Sequence, residues 1–327
     1  MNILYTFNDN FVPQVAAAIT SVMENNKQLH QIHFYLMSLN VSKENEDKLE
    51  EYIYSYNREV SFIELGDMQK HFDFSINTSG WNPIVLARLL LDKLLPEDVD
   101  RILYLDGDTI VRGSLEELEN LDMQEHIIGA SLEPTYSKDR KASIGMEGYP
   151  YYNAGVLLID LNEWRKQNLG NKIITFYKEH DGKLFSNDQD AINATEKGNI
   201  YTLSPKYDYF NIYDQYPYSF LKKLCDYEYI SKEIYEEAKK NPIIIHYLGE
   251  ERPWRIGNHH RFKADYDKYL NMTPWSGMNY EEGWKTYFVC WDIFNAITKP
   301  FPSLRYGIIN ALIPAFLNYR SIKKVNK

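Results

Sequence analysis

Residues 101–111 read RILYLDGDTIV, an apolar run that ends in two carboxylates one residue apart. Residues 102–105 have the length and composition of a buried strand near the centre of a parallel sheet. Ligands of open α/β sheets bind beyond the carboxyl ends of the strands, where Asp106 and Asp108 would lie. Carboxylates at this spacing repel each other unless a cation lies between them, so both are candidate ligands of Mg²⁺ or Mn²⁺. Gly107 keeps the turn open, but Asp-Gly-Asp is also ordinary turn chemistry, and a solvated turn is an equal alternative.

Strand and helix patterns alternate on the N-terminal side of this stretch. Short apolar strands are predicted at residues 2–7, 32–37 and 60–65, and helices are predicted through residues 15–22 and 43–56. The alternation predicts an α/β fold in which helices cover both faces of a mostly parallel sheet. No glycine-rich phosphate loop follows the first strand, which argues against a dinucleotide fingerprint or a P-loop.

The composition narrows the functional classes. A formal net charge of -10 argues against a nucleic-acid-binding protein, because phosphate backbones are bound by clustered lysines and arginines. Only two cysteines are present, Cys225 and Cys290, so a disulfide framework is not expected. The first residues lack the basic and apolar regions of a signal peptide, and no apolar stretch is long enough to span a bilayer. We therefore expect a cytoplasmic protein.

Two charged or polar residues stand out against apolar surroundings. Arg88 lies in an apolar helix predicted to follow Pro83, where an arginine either extends to solvent or binds an anion. His246 follows an apolar strand, where a histidine is usually a hydrogen-bonded core residue. A neutral imidazole can also be the third protein ligand of Mn²⁺ beside two carboxylates. From the residues alone, both alternatives stay open.

Two polar segments adjoin predicted secondary structure. Residues 152–161 read YNAGVLLIDL, in which the polar start is either a turn before a buried strand or part of a pocket. Asn153 offers both donor and acceptor groups to a ligand. Residues 185–193 read FSNDQDAIN, and here Asn187 or Asp188 could be no more than a helix cap.

The order of these segments resembles glycosyltransferase family 8. The resemblance rests on ARL at residues 87–89 before the DGD of residues 106–108, then NAGV at 153–156, DQD at 188–190 and HYLGEERPW at 246–254. It implies a GT-A fold, which is a Rossmann-like, mostly parallel mixed sheet flanked by helices. It also implies retaining transfer from a UDP-sugar donor with Mn²⁺, or alternatively Mg²⁺, as the metal.

The resemblance also implies functions for the residues that match the family's motifs. The implied metal ligands are Asp106, Asp108 and His246. The implied donor contacts are Thr6, Asn8, Asn10, Arg88, Asp106, Gly107, Asp108, Ala154, Gly249 and Arg252. The implied catalytic residues around the sugar are Asn153, Asp188 and Gln189, with Gln189 beneath the anomeric carbon. The chain departs from the family at Arg252, where lysine is usual, and at Asn8, where many relatives have aspartate.

The reaction expected from this resemblance is transfer of galactose from UDP-galactose to a glycan acceptor on a surface glycoprotein, polysaccharide or lipid. Glucose from UDP-glucose is the alternative donor sugar. Because an amide is a poor nucleophile, Gln189 favours a front-face mechanism over a covalent glycosyl-enzyme. Two other classes stay open, a non-catalytic sugar-nucleotide-binding partner in a glycosylation complex and a nucleotidyltransferase, although the latter would need a glycine-rich, basic loop near the N-terminus.

The C-terminal part of the chain differs in charge from the rest. We predict a catalytic domain over residues 1–265 and a small helical extension over 266–327. Residues 285–327 contain seven basic residues and one acidic residue, although the whole chain is acidic. A helical aromatic face is predicted from Trp284, Tyr287, Phe288, Trp291 and Phe294. Such a face with basic flanks can bind an anionic membrane surface, which predicts a peripheral protein at the inner face of the membrane. The alternative is a helical appendix packed on the catalytic domain.

Overall fold

The computed structural model describes residues 1–181 and 183–325, with side chains described up to residue 313. Nine strands are found in these residues, and they form two sheets. The strands are β1 (Asn2–Asn8), β2 (His33–Leu39), β3 (Glu59–Glu64), β4 (Arg101–Leu105), β5 (Thr109–Val111), β6 (Ile128–Leu132), β7 (Tyr152–Asp160), β8 (Ile200–Leu203) and β9 (Ile244–His246).

Seven strands form the main sheet, in the order β3-β2-β1-β4-β7-β6-β8. Strands β3, β2, β1 and β4 pair in parallel, and β6 pairs in parallel with β8. Only β7 runs against its neighbours, because it is antiparallel to both β4 and β6. Strands β5 and β9 form a separate antiparallel pair. The predicted mostly parallel mixed sheet is therefore confirmed.

Helices cover both faces of the main sheet. The α-helices are α1 (Val12–Asn25), α2 (Lys43–Tyr54), α3 (Leu91–Leu94), α4 (Glu116–Glu119), α5 (Lys138–Ser143), α6 (Leu161–Lys166), α7 (Leu169–Glu179), α8 (Asp188–Thr195), α9 (Ile212–Gln215), α10 (Tyr218–Leu224), α11 (Lys232–Lys240), α12 (Lys263–Leu270), α13 (Lys285–Thr298) and α14 (Pro302–Val325). Shorter 3₁₀ helices span Asp9–Phe11, Met68–His71, Pro83–Leu90 and Pro205–Tyr207.

The helix predicted after Pro83 has a different geometry from the expected α-helix. The segment Pro83–Leu90 is a 3₁₀ helix, and only Leu91–Leu94 continues it as an α-turn. The Asn82 side chain caps its start by accepting a hydrogen bond from the Ile84 N–H (3.1 Å). Six of its eight residues are buried, so tertiary packing rather than an amphipathic pattern sets its shape.

The hydrophobic core lies on both faces of the main sheet, and β1 shows how one strand serves both. Ile3, Tyr5 and Phe7 pack into the cluster around α1, whereas Leu4 packs into the larger cluster on the other face. Successive side chains of a strand point to opposite faces, so a central strand that is covered on both sides reads as a continuous apolar run.

Residues 133–148, a polar segment between β6 and β7, are attached to other parts of the fold. Tyr136 stacks on Tyr151 with 3.7 Å between ring centroids, and both hydroxyls donate to Asp190 Oδ1 at 2.6 Å. Lys141, on α5, is buried and pairs with Asp226 at 2.5 Å. The segment is therefore attached at two points to residues that follow it in the chain.

The C-terminal extension presents a different surface from the one that its sequence predicts. Phe288 is buried, and the other four aromatic side chains of the predicted face are partly buried. Two arginines lie over their rings, Arg255 over Trp284 at 3.6 Å and Arg305 over Trp291 at 5.6 Å. The aromatic face is therefore directed inward, because cation–π contacts and packing hold it there.

An aliphatic surface of α13 and α14 faces solvent instead. Its exposed side chains are Val289, Ile293, Ile297, Leu304 and Leu312, and the aromatic Phe301 is exposed in the turn between the two helices. Within the described part of the chain, no helix combines the length and the apolarity that crossing a bilayer requires. The predicted boundary at residue 265 falls within α12, whose Tyr266, Tyr269 and Leu270 belong to the main core.

Candidate active site

Asp106 begins the loop that follows β4. Its backbone N–H donates to the carbonyl oxygen of Gly155 on β7 (2.8 Å), which holds the chain where it leaves the sheet. Its Oδ1 atom accepts hydrogen bonds from the Tyr104 hydroxyl (2.5 Å) and from Arg88 Nη2 (2.9 Å). Both bonds end on Oδ1, and Oδ2 lies 3.9 Å from His246 Nε2.

The small β5–β9 sheet brings His246 to the two carboxylates. In this ladder His246 is paired with Thr109, the residue after Asp108. The imidazole is buried, and its Nε2 lies 3.4 Å from Asp108 Oδ1. Its Nδ1 lies 3.0 Å from Oδ1 of Asp208, which is itself fully buried. A carboxylate on one ring nitrogen fixes the ring orientation, so Nε2 is directed at the carboxylates.

Asp106, Asp108 and His246 form a group that could hold a metal ion. One ligand atom from each side chain lies within 4.8 Å of the others. Burial alone would lower the pKa of His246, but Asp208 and Asp108 raise that pKa well above its usual range. A site of this charge favours a cation at Nε2, and carboxylate oxygens with one imidazole suit Mn²⁺ or Mg²⁺.

Two glycines allow the backbone to approach these side chains closely. A Cβ atom on Gly107 would lie 2.7 Å from Val15 Cγ2 on α1. A Cβ atom on Gly155 would lie 2.2 Å from Cε1 of His246. Real Cβ atoms essentially never come this close, so Gly155 leaves the space that the histidine ring occupies.

Arg88 is a buried cation that joins two carboxylates. Its Nη2 contacts Asp106, and its Nε lies 2.9 Å from Oδ2 of Asp188. Its Nη1 donates to the carbonyl of Ala154, and its guanidinium lies 4.2 Å from the centroid of the Tyr104 ring. Burial raises the pKa of Asp188 to about 6, against the opposing effect of Arg88. Arg88 therefore meets anions in the interior and does not extend to solvent.

Gln189 and Asn153 are held by a carboxylate that no motif identified, that of Glu133. Gln189 Nε2 and Asn153 Nδ2 each donate to Glu133 Oε2 at 3.0 Å. Gln189 Oε1 accepts from the backbone N–H of Ala154 (2.9 Å), and Asn153 Oδ1 accepts from the N–H of Gly155 (2.8 Å). Burial raises the pKa of Glu133. The second N–H of Gln189 donates to the Tyr151 hydroxyl (3.1 Å), whereas Asn153 keeps one N–H for a ligand. Both amides are thus fixed in orientation.

The segment after β9 brings Arg252 back to the carboxylates. Arg252 Nη2 lies 3.2 Å from Asp108 Oδ2, and its Nε donates to the carbonyl of Gly249 (3.1 Å). Gly249 has a φ of +76°, a conformation that side-chain-bearing residues rarely adopt. Against the effect of burial, His246 and Arg252 lower the pKa of Asp108. The guanidinium that replaces the family's usual lysine is therefore within reach of the candidate metal ligands.

The three N-terminal residues with implied uridine contacts are less closely connected to this group. Thr6 Oγ1 lies 3.0 Å from the Tyr104 hydroxyl, which links it to Asp106. Asn8 ends β1, and Asn10 is exposed in the 3₁₀ helix Asp9–Phe11. Within the described residues, neither asparagine side chain has a hydrogen bond to the residues around the candidate metal ligands.

Sequence patterns missed three residues of this site. Glu133 and Asp208 belong to no motif that we used, and Tyr104, although it lies within residues 101–111, was given no function. Asp208 precedes Tyr209, which forms an isolated bridge with Ile245 of β9. Its contact with His246 comes from this pairing across the chain, which a local pattern does not reveal.

Comparison with known proteins gives the chain's relatives. It is 26% identical to general stress protein A of Bacillus subtilis, over 84% of this chain and 95% of the relative. It is 26% identical to a lipopolysaccharide 1,2-glucosyltransferase of Escherichia coli, over 87% of this chain and 82% of the relative. A lipopolysaccharide 1,3-galactosyltransferase of Salmonella typhimurium is 23% identical, over 84% and 79%.

The fold and the family follow from two further comparisons. The crystal structure of the galactosyltransferase LgtC in complex with donor and acceptor sugar analogues matches with a TM-score of 0.71 and 23% identity, over 88% of this chain and 99% of that chain. This likeness shows the GT-A fold. The model of glycosyl transferase family 8 matches residues 2–256, which is most of the chain. The chain therefore belongs to glycosyltransferase family 8.

Proposed function

We propose that this glycosyltransferase is a retaining, Mn²⁺-dependent enzyme that transfers galactose from UDP-galactose to a glycan acceptor. The observation that supports it is the group of Asp106, Asp108 and His246, in which the last two are buried, with Arg88 and Asp188 directly beside it. A divalent ion bound there would neutralise the diphosphate and act as a Lewis acid for departure of UDP. Mg²⁺ is the alternative ion.

The neighbouring side chains suit the other parts of such a reaction. Arg252 beside Asp108 would bind the diphosphate with Gly249 and stabilise the charge that develops as UDP leaves. Asp188 would accept hydrogen bonds from sugar hydroxyls. Gln189 and Asn153, oriented by Glu133, would complete the sugar pocket. Thr6, Asn8 and Asn10 would bind the uridine.

The stereochemical course that we propose is front-face retention, in which a UDP phosphate oxygen takes the proton of the acceptor. The alternative, a double displacement, needs a carboxylate near the sugar. Glu133 is the candidate for this nucleophile, because it contacts Gln189 and Asn153 directly. A covalent glycosyl-enzyme, detected as a mass increase of one hexose on a peptide of the native protein, would contradict the front-face course. If that peptide contained Glu133, the residue would be the nucleophile of a double displacement.

UDP release from a panel of UDP-sugars tests the donor and the metal. With Mn²⁺ we expect release from UDP-galactose at a higher rate than from UDP-glucose, and we expect a chelator to abolish it. Release from UDP-glucose alone would establish the glucosyltransferase alternative. Tight binding of UDP-sugars without release, even with mixed glycans added, would favour a non-catalytic partner in a glycosylation complex.

The acceptor that we propose is a surface glycan on protein, polysaccharide or lipid, reached at the inner face of the membrane. The aliphatic surface of α13 and α14 supports a membrane-bound location. Val289, Ile293 and Ile297 follow one another at intervals of four residues and are 58%, 55% and 64% exposed. Exposed lysines stand at each end of α13, Lys285 and Lys299. Apolar side chains between cations match the interface of an anionic bilayer.

Replacing Ile293 and Ile297 with serine is expected to weaken binding to phosphatidylglycerol vesicles about tenfold or more, because two large apolar side chains no longer enter the bilayer interface. Co-sedimentation with the vesicles measures this. The matched control is Ile234→Ser, which removes an exposed isoleucine from α11 of the catalytic domain. Equal vesicle binding by the double variant and the control would contradict a membrane contact through α13.

A further inference from the structure

A polar pocket lies where the C-terminal extension meets the catalytic domain, with a volume of about 370 Å³. We call it the tail pocket. Asn211 and Glu251 line it from the catalytic domain, and Asn295, Lys299 and Arg305 line it from α13 and α14. The extension therefore supplies part of the wall of a cavity, in addition to covering the catalytic domain.

Arg305 is a buried cation that makes no ion pair within 4.0 Å with the described side chains, and it is 2% exposed. The Glu251 carboxylate, which lines the same pocket, acts on Arg305 at longer range and opposes the effect of burial on its pKa. Its Nη2 donates to Asn295 Oδ1 (2.5 Å), while its Nε has no hydrogen bond among the described residues. Burial lowers the pKa of Arg305, and its guanidinium lies between 5.5 and 5.7 Å from three aromatic rings. A buried charge of this kind is unfavourable unless an anion joins it.

Lys299 adds a second cation to the same pocket. It is exposed and makes no ion pair with the described residues, whereas Arg261, which also lines the pocket, is paired with Asp214 at 2.9 Å. Two cations of the extension are thus available to a ligand, since Arg261 already has its own carboxylate.

Glu251 contributes a hydrogen-bond-accepting carboxylate to the tail pocket. Its Oε2 accepts hydrogen bonds from Asn211 and from Gln215 Nε2, the latter at 2.9 Å. Glu251 makes no ion pair within 4.0 Å with the described residues. Burial raises the pKa of Glu251, and Asn211 and, at longer range, Arg305 oppose this effect. A buried acid that already uses neutral donors is suited to accept further hydrogen bonds from hydroxyl groups.

Two segments of the chain connect the lining of the tail pocket with the candidate active site. Asn211 is three residues from Asp208, which holds His246, and a span of three residues is at most about 11 Å. Glu251 directly precedes Arg252, which contacts Asp108. A long ligand in the tail pocket could therefore extend toward the candidate metal ligands.

We propose that the tail pocket is an acceptor subsite for an acidic glycan, in which Arg305 and Lys299 bind a phosphate or carboxylate group and Glu251 accepts hydrogen bonds from sugar hydroxyls. This proposal rests on the proposed glycosyltransferase function and specifies its acceptor. It also gives the extension a second purpose beside the membrane contact, because the extension selects acceptors by charge.

Calorimetric titration of the full-length protein tests the subsite with three probes, glucose 6-phosphate, glucuronate and neutral glucose. We expect both anions to bind at least about tenfold more tightly than glucose, because one charge-assisted hydrogen bond contributes a free energy of that size. The affinity for the anions should be the same in two conditions, with a chelator and with Mn²⁺ plus saturating UDP. The reason is that the pocket contains no metal ligand of the active site. A preference for one anion identifies phosphate or carboxylate as the natural group.

Variants locate the binding. Arg305→Met keeps a long side chain against the rings, removes the charge and should weaken binding of glucose 6-phosphate about tenfold or more. Lys299→Glu changes an exposed side chain, so the fold should persist even if Arg305→Met unfolds, and it should weaken binding similarly. Lys222→Glu, which makes the same change at an exposed lysine of α10, is the matched control.

Three results would overturn the proposal. They are no saturable binding of either anion, equal affinity in the wild type and Lys299→Glu, and binding that requires Mn²⁺ or is lost with saturating UDP. The last result would assign the anion to the donor site. These measurements need no turnover, so they are independent of UDP release, and loss of catalysis alone would not alter them.

Discussion

Replacing Asp108 with asparagine is expected to lower Mn²⁺-dependent UDP release by about three orders of magnitude. Asp108 contacts both His246 (3.4 Å) and Arg252 (3.2 Å), so it lies between a candidate metal ligand and the cation that would bind diphosphate. An amide keeps the shape of the side chain but removes the negative charge that a divalent ion requires. The loss should therefore appear in metal binding as well as in rate.

Two measurements separate these effects for Asp108→Asn. The signal of free Mn²⁺ in electron paramagnetic resonance gives the affinity for the metal without turnover, and UDP release gives the rate. Asp47→Asn, which changes an exposed aspartate on α2, is the matched control. Unchanged Mn²⁺ affinity together with an unchanged rate would remove Asp108 from the metal site and leave the DGD segment as a solvated turn.

Replacing Arg88 with methionine is expected to lower the free energy of unfolding by about 3 kcal/mol, because it leaves buried carboxylates without their cation. Arg88 is 7% exposed and lies 2.9 Å from both Asp106 and Asp188. The loss should be limited by Asp188, since the pKa of its carboxyl group is already raised to about 6 and it can take up a proton at moderate cost. Denaturant unfolding with a chelator present measures the change without a contribution from bound metal.

Further variants separate the contribution of the Arg88 ion pairs to the free energy of unfolding from that of side-chain packing. Arg88→Met combined with Asp188→Asn should recover part of the lost free energy, since it removes one of the two carboxylates that Arg88 neutralises. Arg88→Lys should fall between the wild type and Arg88→Met, because a lysine cannot contact both carboxylates with a planar fork. If Arg88→Met unfolds at the same denaturant concentration as the wild type, the two ion pairs contribute nothing to stability.

The mostly parallel sheet was largely predictable from the sequence, although the order of its strands was not predicted. Strands β1 to β4 differ from the expected strands by one or two residues, because continuous apolar runs are typical of strands covered on both faces. The 3₁₀ geometry of Pro83–Leu90 was not predictable, since packing on all sides determines it.

The residues of the candidate site that belong to sequence motifs were predictable. The residues that only orient other side chains were not. Asp106, Asp108 and His246 come together as expected, but Asp208 and Glu133 are known only from contacts between distant segments. The aromatic face of the extension was assigned to the wrong environment for the same reason. Arg255 and Arg305, which hold it inward, lie outside the helical pattern that defines the face.

The β5–β9 ladder also determines when the site can first exist during synthesis. Asp108 and His246 are 138 positions apart, and only the pairing of Thr109 with His246 brings them together. A ribosome that adds about 5–20 residues per second needs roughly 7–28 s to cover that distance. Throughout this interval the nascent chain carries its acidic pair without the histidine. A metal ion bound by all three side chains, as we propose, would therefore have to wait until residue 246 has been made.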